Sequence, residues 1–332
     1  MAATYNPAPG QTTQQRGIQV QDEPTLEIIV ARSAGTCFGV EAAIEIAEQQ
    51  KKPILGPLVH NPQIVNDLAR EGIPILERYE NMQVLEEEGH EEVIITAHGY
   101  PKQLKEELTD RGIKFHDATC PVLLKWVYRK MERFENEGYH IILVGNPGHA
   151  EIIASRSYSQ SICVVYSEEE IDALPDDLGK TVAICQTTIT KEKFQRLVDY
   201  IRESKYPDLR AVDTRCKPVK TQQEAVQDLA QWVDAMLVIG GFNSSNTTNL
   251  ARISSEFLPE STHHIDSPAL IQQDWLDGIS HLGIAAGTST PKSQIEDVKT
   301  RVAEMFKGKV VFRKGNNEDD IMSFEADAAV EM

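Results

Sequence analysis

One pattern recurs along this chain and restricts its fold more than any other feature. A short, unbroken apolar run is followed, again and again, by a longer amphipathic stretch. "LEIIVA" precedes "VEAAIEIAEQQ", "VIITAHG" precedes "PKQLKEELTDRG", and "HIILVGN" precedes "HAEIIASRS". Further on, "TVAICQTT" precedes "KEKFQRLVDYIRES", "AMLVIGGFNSSN" precedes "TNLARISSEF", and "LGIAAGTS" precedes "PKSQIEDVKTRVAEMF". The runs have strand length and are apolar at consecutive positions, so both faces are expected to be buried. Strands of that kind belong to parallel sheets covered by helices, and the expected class is α/β. Thr190 stands where a hydroxyl can cap the helix beginning "KEKF".

A length of 332 residues exceeds what one ordinary core organises, so two or three domains are expected. In open α/β sheets, ligands bind at the carboxyl ends of strands, where helix N-termini present free N–H groups. Those junctions carry polar chemistry here. "AHG" places His98 there, "GNPGHAE" places His149 and Glu151, and "QTTIT" places Thr187 and Thr188. "GGFNSSNTTN" offers Ser244, Ser245 and Asn246, "AAGTSTP" offers Thr288 and Ser289, and "LVHNPQIV" adds His60. Small hydroxyls and backbone donors at helix starts suit an oxyanion or a phosphate group. Taken singly, each junction reads as an ordinary cap or turn.

Acidic residues outnumber basic ones, 51 to 33, for a net charge of −18. Binding to a phosphate backbone needs clustered Lys and Arg, so no nucleic-acid partner is expected. A small anionic substrate stays open, because the field in a pocket can oppose the net charge. No apolar run approaches the roughly 20 residues of a membrane helix, so no membrane partner is expected. The first 24 residues, rich in Pro and Gln, read as a flexible tail rather than a secretion signal, and a cytoplasmic location is expected.

The five cysteines fall into two groups. Cys163 and Cys185 lie inside apolar, β-branched runs and read as small buried hydrophobes of strands. Cys37, Cys120 and Cys216 sit beside Gly, Pro or Lys, separated by 83 and 96 residues. An odd count makes a disulfide framework unexpected. The spacing suggests three similar α/β modules, each lending one cysteine near a central point. The expected boundaries are a tail over 1–24, modules over 25–119, 120–215 and 216–313, and a tail over 314–332. Three such thiolates could hold a metal centre or remain ordinary free thiols. Structural zinc favours close cysteine pairs and four ligands, so zinc is disfavoured. A cubane cluster normally takes four cysteines, so three would leave one iron open.

Read in order, "GTCFGVEAAIEIA", "LVHNPQIVNDL", "AHGYP", "DATCP", "GHAEI", "QTTIT", "GGFNSSNTTNL" and "AGTSTP" resemble the 4-hydroxy-3-methylbut-2-enyl diphosphate reductase family (LytB/IspH). The resemblance runs from about residue 26 to "NNEDDIMSFE". It implies three similar α/β modules, with mostly parallel sheets, around a central [4Fe–4S] cluster with three Cys ligands and one open iron. Cys37, Cys120 and Cys216 match the ligands. His60, His98, His149, Ser244, Ser245, Asn246 and Ser289 match the substrate pocket. Glu151, Thr187 and His149 match the residues that protonate or order the substrate hydroxyl. The implied reaction is a two-electron reductive dehydroxylation that yields isopentenyl and dimethylallyl diphosphate. Ferredoxin or flavodoxin is the implied electron donor.

The chain also departs from the family's usual pattern. Thr36 replaces an aromatic residue before Cys37, and Ala42 stands where an Arg is usual. Ala150 replaces the proline of His-Pro-Glu, and Lys217, Pro218, Val219, Lys220 and Gln222 alter the segment after Cys216. These changes motivate a second reading, a divergent paralogue acting on another hydroxylated compound. A third, from another class, is a non-catalytic iron–sulfur redox sensor, and a fourth is a binding protein without metal. His90, His116, His140, His263, His264 and His281 receive no role.

Overall fold

The computed structural model describes residues 23–76, 85 and 87–314. Most of both expected tails, the "NNEDDIMSFE" block and Glu86 of the acidic "EEEGHEE" run lie outside the described residues. Within them are three sheets whose ladders are all parallel.

The first sheet has the order β3-β2-β4-β5, from β2 (Ile54–Leu55), β3 (Ile75–Leu76), β4 (Glu92–Ile95) and β5 (Lys114–Asp117). The second repeats it as β7-β6-β8-β9, from β6 (His140–Val144), β7 (Ile162–Val165), β8 (Thr181–Cys185) and β9 (Arg210–Ala211). The third runs β11-β10-β12-β1-β13, from β10 (Ala235–Ile239), β11 (Thr262–Ile265), β12 (His281–Ala286), β1 (Thr25–Val30) and β13 (Lys309–Lys314). The place that β5 and β9 fill in their sheets is filled in the third by β1, from the opposite end of the chain.

This differs from the boundary expected at residue 25, which put the first strand in the first module. The physical reason lies in "LEIIVA", which needs cover on both faces. Leu26 and Ile28 are fully buried with Ile284, Val298 and Val302, while Ile29 packs on the opposite face with Met236 and Val238. Pairing with β12 and β13 on either side satisfies both edges of the strand. The expected breaks at 120 and 216 fall in the connections that leave β5 and β9.

The central strands read as buried runs because they are covered on both faces. Every residue of β8 and β10 is buried, as are five of the six in β12. The helices used below are α1 (Phe38–Gln50), α2 (Pro62–Arg70), α3 (Lys102–Asp110), α4 (Tyr128–Asn136), α5 (Ala150–Ser155), α6 (Glu168–Asp172), α7 (Lys191–Ser204), α8 (Lys217–Leu229), α9 (Ser245–Ser255) and α10 (Lys292–Met305). Thr190 caps α7, accepting the Lys193 N–H at 3.3 Å. Among the described residues no helix is long and apolar enough to cross a membrane.

Candidate active site

The same local geometry occurs three times. Each of β1, β5 and β9 is soon followed by a cysteine, and the cysteine starts a helix. Cys37 and Cys216 are the N-cap residues of α1 and α8, and neither sulfur is spent on a capping bond. The Cys120 carbonyl accepts from Leu123 and Leu124, so a helix begins at Pro121 and passes through a π-helical stretch, Leu123–Val127, into α4. Pro121 fits there because the first helical position needs no N–H. Each cysteine N–H is held by the loop after the neighbouring strand. Cys37 donates to the Thr288 carbonyl at 3.0 Å, Cys120 to that of Ala97 at 3.0 Å, and Cys216 to that of Thr187 at 3.1 Å.

Those loops and the loops after β2, β6 and β10 supply the rest of one cavity of about 110 Å³. Its wall includes Cys37, Cys120 and Cys216, His60, His98 and His149, Glu151 and Thr187, and Ser244, Ser245, Asn246 and Ser289. Every site residue singled out from the sequence therefore faces the same space. Two glycines permit the close approach of the modules. A Cβ on Gly39 would stand 2.5 Å from the Cys120 sulfur and 3.9 Å from the Cys37 sulfur, so any side chain there would displace the thiol. A Cβ on Gly241 would meet the His60 carbonyl oxygen at 2.7 Å, where the third module packs on the first.

At the three thiols, burial opposes the charged form. It raises Cys37 and Cys120, and pushes Cys216 up to about 12, with the neighbouring thiols and Glu151 adding to the effect on Cys216. Among the described residues no three His, Cys, Asp or Glu side chains are grouped to hold a single metal ion. Three soft thiolates from three modules suit instead an iron–sulfur group, in which each cysteine takes a different iron. The positive irons would also offset the burial of thiolate charge.

The same wall carries three imidazoles. His60 and His98 stack with centroids 3.9 Å apart, and His149 meets them edge-on at 5.2 and 5.9 Å. Burial lowers all three. It holds His98 well below the usual imidazole range, with help from its two neighbours, and His149 at about 4. His149 caps α5, its Nδ1 accepting the Glu151 N–H at 3.2 Å, so the neutral ring carries its proton on Nε2. Among the described residues no Lys or Arg lines the cavity. An anion bound here meets histidines, hydroxyls and the first turn of α9, which starts at the Ser244 cap.

Glu151 is 5% exposed and is tied to both sets, its N–H donating to His149 and its charge raising Cys120 and Cys216. Its carboxyl accepts the Thr187 N–H at 2.7 Å and the Thr187 hydroxyl at 2.6 Å. Burial outweighs these bonds and raises the acid to about 7, near the optimum for a group that must give up a proton at neutral pH.

Two residues of this region carried no assignment from the sequence. Gln186, 1% exposed, accepts the Asn146 N–H and donates to the Thr188 and Ser245 hydroxyls, joining the second and third modules. Its signal was a polar amide closing the apolar run of β8. Gln222 bonds to Asn246, and its sequence context gave only a departure from pattern. Cys163 and Cys185 lie in β7 and β8, away from the cavity. The six histidines without a role also lie outside it.

Comparison with known proteins fits this geometry. The LytB protein family matches residues 28–303. The chain belongs to the LytB family. A relative from Aquifex aeolicus (strain VF5), a 4-hydroxy-3-methylbut-2-enyl diphosphate reductase, is 37% identical over 302 residues, covering 86% of this chain and 99% of the relative. One of the same name from Geotalea daltonii is 36% identical over 290 residues, covering 86% and 99%. Among solved structures, an (E)-4-hydroxy-3-methyl-but-2-enyl diphosphate reductase, the terminal enzyme of the non-mevalonate pathway, is 36% identical with a TM-score of 0.60. It covers 84% of this chain and 99% of its own. The Plasmodium falciparum E-1-hydroxy-2-methyl-but-2-enyl-4-diphosphate reductase, 22% identical with a TM-score of 0.77 over 90% and 94%, shares the fold. Of this LytB chain's departures from the family pattern, Thr36, Ala42, Ala150, Lys217, Pro218 and Lys220 stay off the cavity wall, and Val219 joins it.

Proposed function

We propose that this LytB protein is a 4-hydroxy-3-methylbut-2-enyl diphosphate reductase of the non-mevalonate isoprenoid pathway. The observation that carries the reading is the convergence of three thiols, three imidazoles and a buried carboxylic acid on one small cavity. The reaction removes the C4 hydroxyl: the C–O bond breaks, two electrons and two protons enter, and water leaves. The products are isopentenyl and dimethylallyl diphosphate.

Cys37, Cys120 and Cys216 would hold a [4Fe–4S] cluster with one open iron, which supplies electrons and a Lewis-acidic position for the leaving oxygen. His60, His98, His149, Ser244, Ser245, Asn246 and Ser289 bind the diphosphate. Binding an anion favours imidazolium, so the histidines take up protons as the substrate enters and compensate its charge. Hydroxide is a poor leaving group, and Glu151 in its acid form donates the proton that lets it depart as water. Thr187 holds both carboxyl oxygens of Glu151 and fixes the acid's aim. His149 shares a turn with Glu151 and ties the diphosphate pocket to the acid.

The electron donor is a small carrier such as ferredoxin or flavodoxin, with no nucleic acid or membrane partner. All five thiols are free, as suits a reducing cytoplasm. The test is turnover of the hydroxymethylbutenyl diphosphate by protein reconstituted anaerobically, with both products quantified. No turnover by a protein of full iron and sulfide content would refute the reading.

A further inference from the structure

Gln222 lies on α8, is 3% exposed and touches two other parts of the site. Its Nε2 donates to the Ser33 carbonyl at 2.7 Å and to the Gly35 carbonyl at 3.1 Å. These two residues form the turn leading into Cys37, and both sit in the left-handed region, at φ 60° and 109°. With both N–H donors on carbonyls, the Gln222 amide has one orientation, since the flipped form would set its oxygen against two others. Its Oε1 therefore faces Asn246 and accepts from Nδ2 at 2.8 Å. Asn246 is 2% exposed, lines the cavity and keeps a buried Oδ1 without a partner.

We propose that Gln222 is a positioning residue, whose single amide locks the Asn246 side chain for the ligand and anchors the turn that carries Cys37. One Nδ2–H of Asn246 is committed to Gln222. The buried, unpartnered Oδ1 and the second Nδ2–H are thereby held in one orientation beside the pocket, which lowers the ordering cost of binding. The lock is a property of this chain's glutamine, and it rests on the reading of Asn246 as part of the diphosphate pocket.

The experiment is a double-mutant cycle on the anaerobically purified holoenzyme, read by calorimetric titration with inorganic diphosphate. Wild type, Gln222→Met, Asn246→Ala and the double variant are compared. Each single change should weaken diphosphate about tenfold, and the double variant should be no weaker than Asn246→Ala. Gln222→Met should also lose iron to a chelator faster than Asn246→Ala, because only Gln222 holds the Cys37 turn. Wild-type affinity in Gln222→Met, or losses that multiply in the double variant, would overturn the proposal. Wild-type affinity in Asn246→Ala would instead remove the pocket reading beneath it. Gln222→Leu repeats the cycle if the methionine variant does not fold, and failure of both to fold overturns a positioning role.

Discussion

The cavity wall carries a set of three thiols and a set of three imidazoles, and both sets are partly withdrawn from water. Withdrawal raises the thiols and lowers the imidazoles, so in each case the neutral form gains. On the proposed reading, the two sets would take ligands of opposite charge: cationic iron would stabilise a thiolate, and an anion an imidazolium. Glu151, more deeply buried than either set, is raised like the thiols. On that reading, imidazoles that gain protons against a bound anion would let a chain of net charge −18 offer an anion site, with no Lys or Arg among the described residues of its wall.

The largest test of the contrast removes one thiol. Cys120→Ser should lose iron, sulfide and visible absorbance, and with them essentially all turnover. The imidazole set should survive, since its loops hang on other hydrogen bonds such as the Ser289 hydroxyl to the His60 carbonyl. Full iron content in this variant would break the assignment of the thiols.

Next comes the buried acid. Glu151→Gln keeps the shape and removes the proton, so kcat should fall by about 10²- to 10⁴-fold while iron content stays unchanged. The sign of the pH dependence follows from the raised value. The acid form is held below about 7 and lost as pH rises through it, so kcat should decline on the alkaline side and flatten in the glutamine variant. A redox sensor would instead tolerate this change.

At the imidazoles the effect is smaller and falls on affinity. His98→Ala should weaken inorganic diphosphate about tenfold or more, with the cluster spectrum unchanged. Burial favours the neutral imidazoles in the empty pocket and a bound anion favours imidazolium, so binding is expected to take up protons. Affinity should therefore strengthen as pH falls towards the value of about 4 held by His149 in the empty pocket, and calorimetry in buffers of different ionisation enthalpy should register the uptake. Release of protons on binding would overturn the role given to the imidazoles.

Much of this was legible in the sequence because strand ends are legible. Apolar runs of strand length told where each strand stops, and polar residues just beyond them told what the carboxyl edge of each sheet presents. His98 after β4, Thr187 after β8 and Ser289 after β12 all follow that rule. The partnership of β1 with β12 was not legible, because "LEIIVA" carries no mark of which buried sheet it joins. Gln222 was missed for a related reason. It sits within a helix, and its contacts with Ser33, Gly35 and Asn246 depend on where three separate elements come to rest. A long-range amide bond leaves no trace in spacing.

The smallest expected effect separates the two groups of cysteines. Cys163 belongs to β7, half-buried, with His140 Nε2 3.3 Å from its sulfur, while Cys185 is buried in β8 beside Thr214. Burial raises these thiols too, Cys185 to about 12, so the direction of the shift does not distinguish them from the cavity set. Position does. Cys37, Cys120 and Cys216 lie beyond the ends of their strands, where side chains from three modules meet. Cys163 and Cys185 lie within strands, where neighbours in one sheet surround them. Cys163→Val, a change natural to a β-strand, should leave iron content, spectrum and kcat unchanged and move stability by no more than about 1 kcal/mol, measured by anaerobic thermal unfolding. Loss of iron in that variant would show that being a buried thiol matters more than standing at a strand end, and the contrast between the two groups would fail.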